Sequence, residues 1–69
     1  MIRIGEHADY VGDRALVTGY AALTASGYLT LTPAQARRTT GYWLRVVCQG
    51  RIAYWPAAEC KQARQVVQP

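Results

Sequence analysis

A small all-β domain is the fold this sequence predicts, and three observations carry it. β-Branched and aromatic residues fall in short runs rather than at helical spacing. Glycines at positions 12, 19, 27, 41 and 50 cut those runs at roughly regular intervals. Two of the runs are parted by only Gln49-Gly50, which is the length of a tight β-hairpin turn. With 69 residues, 51% of them hydrophobic and 17% charged, the chain has the composition of one folded domain and no room for a second.

Residues 1–12 are polar and read as an N-terminal arm. The Gly12-Asp13 turn enters a first strand, Arg14 to Thr18, and Gly19-Tyr20 then leads into an irregular segment over residues 21–27. A second strand, Tyr28 to Thr32, alternates Leu29 and Leu31 inward against Tyr28, Thr30 and Thr32 outward. Pro33 ends it, and residues 33–40 read as a loop with room for one helical turn begun by that proline. The third strand, Tyr42 to Cys48, and the fourth, Arg51 to Trp55, take their register from the two-residue turn. Cys48 then opposes Arg51, Val46 opposes Ala53 and Leu44 opposes Trp55, while Val47 with Ile52 and Arg45 with Tyr54 share the other face. Pro56 stops the strand, residues 57–60 form one tight helical turn, and Arg64 to Val67 closes the domain as a fifth strand.

Charge narrows the partners. Lysine and arginine number eight against four carboxylates, a net charge of +4, and seven of the eight cations are arginine, whose planar fork suits phosphate and carboxylate and stacks on rings. All four carboxylates lie outside residues 14–58. The longest uncharged stretch, residues 15–36, is rich in Thr, Gly, Ser and Gln, so no membrane span is expected. Residues 1–7 lack the apolar core of a secretory signal, which makes the cytoplasm the expected location. Cys48 and Cys60 are too few for a disulfide framework, and together with His7 they fall short of four zinc ligands. Both are expected as reduced thiols packed in the core. His7 with Glu6 and Asp9 is read as part of a solvated arm rather than a metal or acid-base site. No nucleophile-elbow serine and no Gly-rich phosphate loop is present, so no cofactor is expected.

The run Tyr42-Trp43-Leu44-Arg45-Val46, then Gln49-Gly50, then Ala53-Tyr54-Trp55-Pro56-Ala57-Ala58 resembles the SH3-like barrel in its Trp strand, distal hairpin and aromatic-Pro-small-small segment. Ala15-Leu16 stands where that family begins its first motif. The resemblance covers residues 13–67 and implies a five-stranded SH3-like barrel with one short helical turn before the last strand. It departs from the peptide-binding members: Val17 and Gly19 replace two groove tyrosines and Glu59 replaces a third, leaving Trp43 and Pro56 of that groove. Tyr20 and Tyr28 are the candidates to stand in for a lost tyrosine.

The resemblance implies that Trp43 is partly exposed as contact surface, that Trp55 is core filler, and that Arg37-Arg38 lies in a loop beside the binding groove, with Arg45 and Arg51 on the adjacent hairpin. The candidate contact set is Trp43, Tyr20, Tyr28, Tyr42, Arg37, Arg38, Arg45 and Arg51, since cations for a phosphate backbone beside aromatic rings for bases are what nucleic-acid contact requires. The expected function is that of a non-enzymatic binding module for a nucleic acid or an acidic protein surface. Two alternatives stand beside it. Gly12-Asp13-Arg14, Leu31-Thr32-Pro33, Gly41-Tyr42 and Tyr54-Trp55-Pro56 look like parts of the plasmid-type, trimethoprim-resistant dihydrofolate reductases, which are tetramers of SH3-like chains. That family's catalytic Val-Gln-Ile-Tyr run is matched here by Ile52-Ala53-Tyr54-Trp55, without the Gln. The second alternative is a barrel that mainly self-associates, burying an apolar face against a copy of itself.

Overall fold

Strand β1 (His7–Tyr10) begins inside the stretch expected to be a polar arm. The computed structural model describes residues 1–63. Within them follow β2 (Asp13–Thr24), β3 (Gly27–Leu31), α1 (Pro33–Arg37), β4 (Trp43–Cys48), β5 (Arg51–Pro56), a 3-10 turn at Ala57–Glu59 and β6 (Lys61–Gln62). The domain is all-β: the strands form one antiparallel sheet in the order β5-β4-β2-β1-β6, and β3 also pairs with β2. The strand expected at Arg64 to Val67 lies outside the described residues, but β6 already returns to the first strand, with Ala8 opposite Gln62 and Asp9 opposite Lys61. The described residues therefore carry six strands where the sequence suggested four.

His7 and Asp9 concealed β1 from a reading by composition, because ionisable residues alternate there with Ala8 and Tyr10. In the fold that alternation is the strand period: Ala8 is fully buried, and Tyr10 packs inward with its ring 5.5 Å from that of Trp55. A two-residue turn, Val11-Gly12, links β1 to β2, with both residues at positive φ (49° and 81°).

β2 is the axis of the molecule. On one edge its first residues pair with β1 (Ala8 opposite Ala15) and its last with β3 (Tyr20 opposite Leu31), while the middle of the other edge pairs with β4. The register shifts between Val17 and Gly19, and the Thr18 hydroxyl there donates to the Arg45 carbonyl (3.3 Å). The segment over residues 21–27 is thus strand and hairpin, not irregular chain. Gly19, Ala21 and Ala22 have poor strand propensity, and pairing overrides it: Gly19 pairs with β4, Ala22 with β3 and Ala21 with both.

Among the described residues β3 has only β2 as a neighbour, and Leu29, expected inward, is 58% exposed. The stretch after it is ordered more fully than a loop. Thr32 accepts from the Gln35 amide (3.2 Å), Gln35 Oε1 accepts from the Thr32 amide (2.8 Å), and Pro33 occupies the first turn. This capping box lets five residues hold a helix that presents buried Ala36 to the core. The β4–β5 hairpin has the register its turn length dictates, from Cys48 opposite Arg51 to Leu44 opposite Trp55, and Gln49 and Gly50 both take positive φ (52° and 77°). The helical turn after Pro56 is the 3-10 turn at Ala57–Glu59. The core gathers Ala8, Ala15, Val17, Tyr20, Ala36, Leu44, Val46 and Trp55, with Cys48 and Cys60 packed against it as free thiols.

Candidate functional site

Alternation along β4 sends Leu44 and Val46 into the core and leaves Trp43, Arg45 and Val47 on the opposite, open face of the sheet. Their partners share that face by register: Tyr54 opposite Arg45, Ile52 opposite Val47, and from β2 Leu16 opposite Val47, Gly19 opposite Arg45 and Ala21 opposite Trp43. Tyr28, opposite Leu23, joins the face from β3.

Aromatic rings meet there. Tyr28 and Tyr54 stack with centroids 3.9 Å apart and planes 5° from parallel, and Trp43 stands edge-to-face on Tyr28 at 5.5 Å and 75°. β3 and β5 are separated by β2 and β4, about 14 Å in a flat sheet at roughly 4.8 Å per strand. The rings meet by leaning toward one another over the small residues that β2 supplies beneath them, Gly19 and Ala21. Neither backbone nor space demands glycine at position 19: its φ is not positive, and a Cβ built on it would meet Cβ and Cδ of Arg45 at 3.8 Å, an ordinary van der Waals contact, so the Arg45 stem lies along this floor. The buried Nε of Arg45 has no hydrogen-bond partner, and no carboxylate pairs with its guanidinium among the described residues.

The remaining charges explain that isolation. Asp9 takes both of its oxygens to Arg14 (2.7 and 3.1 Å), and this hydrogen bond holds the Asp9 carboxyl below its ordinary range. Glu6 accepts from the Arg3 amide and from the Gln62 side chain (2.7 and 2.6 Å). None of the residues of β2 to β5 that share the aromatic face is a carboxylate. Among the described residues, no group of three or more His, Cys, Asp and Glu side chains gathers where a metal ion could be held. No helix among them is long and apolar enough to cross a membrane.

Of the eight candidate contact residues, the fold unites three: Trp43, Tyr28 and Arg45. It places the other five elsewhere. Tyr20 is a correction: it is 2% exposed, its hydroxyl donates to the Ile2 carbonyl (2.6 Å), and burial pushes its phenol pKa up. Tyr42 meets Tyr20 edge-on at 5.9 Å and lines a cleft of about 330 Å³ with Met1, Ile2, Leu44, Ala57, Cys60 and Gln62, on the core side of the sheet. Arg37 and Arg38 close α1 and are exposed; Arg37 faces the Tyr20 end of the molecule, where its charge favours the phenolate. Arg51 lies at the β4–β5 tip opposite Cys48, five residue pairs from Trp43 opposite Pro56, or about 16 Å along the strands.

Tyr54 is the member that the candidate list lacked. Its signal was present in the hairpin register, which set it across from Arg45; what the register could not give is Tyr28 arriving from two strands away. Beyond the rings the same face continues as an apolar row in which Leu16, Val47 and Ile52 stand side by side, with Leu16 and Ile52 exposed. No family model, no curated protein and no solved structure matches the chain.

Proposed function

We propose that this chain is a non-enzymatic, SH3-like binding module of the cytoplasm, and that its open-face platform of Trp43, Tyr28, Tyr54 and Arg45 holds a nucleic acid. The single observation that carries the reading is the stacked Tyr28–Tyr54 pair beside an arginine that no carboxylate of the described residues engages. Rings offer π-faces to bases, and a permanently charged guanidinium offers a fork to a phosphate. The SH3-like part of the reading draws support from the antiparallel neighbours β1-β2-β4-β5, from the 3-10 turn that follows β5, and from β6 returning to pair with β1.

An acidic protein surface would use Arg45 but would leave three clustered rings without a matched partner, so nucleic acid is the better fit. Binding to oligonucleotides over a salt series tests it. Affinity is expected at low salt and should decline as salt rises, because each neutralised phosphate releases counterions. Absence of binding at low salt, or affinity that does not change with salt, would overturn the reading.

A further inference from the structure

We infer that the platform takes unpaired bases, so that its ligand is a single strand; this rests on the nucleic-acid reading above. The geometry removes the other uses of an aromatic cluster in turn. A cage for an alkylated ammonium needs rings standing apart around a cavity. Here Tyr28 and Tyr54 are in contact at 3.9 Å, nothing fits between them, and Arg45 beside them repels a cation. A base likewise cannot slide between the two tyrosines, so it must extend the stack from outside. Tyr28 permits this, being 41% exposed on a strand with only one neighbour among the described residues.

Charge placement decides between duplex and single strand. Duplex recognition spends several cations on one surface to hold two phosphate backbones. Among the described residues the cations are dispersed: Arg37 and Arg38 lie at the end of α1, Arg51 at the hairpin tip, Arg14 is held by Asp9, Arg3 precedes β1 and Lys61 lies on β6 opposite Asp9, leaving Arg45 as the cation among the rings. One phosphate contact on a single strand gives a slope of log affinity against log salt of only about −0.7, or roughly a threefold loss between 50 and 200 mM salt. Affinity must then come from stacking, which duplex DNA withholds because its bases are already stacked on one another.

The test is a titration of the ¹⁵N-labelled chain, at one salt concentration, with three probes: an oligothymidylate of about twelve nucleotides, a blunt duplex of equal length and an abasic strand of equal length. The Trp43 indole N–H should shift with the oligothymidylate while that of buried Trp55 stays in place. The oligothymidylate should bind at least about tenfold tighter than either other probe. Tyr28→Leu should weaken oligothymidylate binding by about tenfold or more and leave the abasic strand unaffected, whereas Tyr28→Phe should bind as the parent does. Should Tyr28→Leu fail to give a folded amide spectrum, the ratio between thymidylate and abasic strands on the parent chain decides by itself. An abasic strand or duplex that binds as well as oligothymidylate overturns the stacking inference and leaves the nucleic-acid reading standing. No binding of any probe overturns the reading itself, as does polyglutamate binding tighter than all three.

Discussion

Tyr20 carries a hydroxyl into the core and finds it a partner, the Ile2 carbonyl at 2.6 Å, which ties the first residues of the chain to β2. Replacing Tyr20 by Phe keeps the ring and removes that bond, a change expected to cost about 1 kcal/mol, measured as a lower urea midpoint. The same substitution should alter the alkaline limb of stability. Burial is the main cause that raises the Tyr20 pKa in the fold, with the neighbouring Tyr42 second. The unfolded chain therefore gives up this proton first. The associated stability is complete below the ordinary phenol value of about 10 and is lost as pH climbs through the folded-state value. Tyr20→Phe should be less steeply destabilised across that window; an unchanged pH profile would remove Tyr20 from the account. At this scale the sequence was legible where size alone decides: Trp55 is too large to be anything but core on an inward position. It was not legible for Tyr20, since one tyrosine looks like another until the strand phase through Gly19 is known.

Among the elements, the three hairpins show how turn chemistry and pairing divide the work. Gln49-Gly50 sets the β4–β5 register, and a two-residue connection between alternating runs was enough to read it. Val11-Gly12 is also a two-residue turn, yet it places a β-branched residue at φ 49°, a conformation that costs Val more than Asn or Gly. Val11 is 81% exposed, so its side chain contributes little burial to offset that strain. Val11→Asn should raise stability by about 1 kcal/mol with no change in the denaturant slope, and a neutral or destabilising result would show that the turn carries no strain. At α1 the balance is opposite. Its helix is too short to persist by propensity, and Thr32→Ala, which breaks the capping box, should cost about 1 kcal/mol and loosen Ala36 in the core, read as faster amide exchange at residues 35–39. The box was legible as Thr-Pro-Ala-Gln, although nothing local says that the turn has a core to plug.

For the molecule as a whole, Leu44 is among the largest fully buried side chains of the sheet. It is 1% exposed, opposite Trp55 on one neighbour and Tyr20 on the other. A buried Leu→Ala change costs about 2–5 kcal/mol, comparable to the total stability of a domain this small. Leu44→Ala is therefore expected to lose its cooperative thermal transition by circular dichroism, and a variant that keeps the parent's Tm would contradict the core described here. By itself the sequence determined the all-β class, the β4–β5 register and the alternation that puts Trp43, Arg45 and Tyr54 on one face, because each depends on period-2 geometry and a two-residue turn, which are local. Tertiary structure alone decided that His7–Tyr10 is a strand, that β2 runs unbroken through Gly19, Ala21 and Ala22, and that Tyr28 crosses two strands to stack on Tyr54. Those outcomes rest on hydrogen bonds and ring contacts between segments far apart in the chain, and they override local preferences that pointed to an arm and a loop.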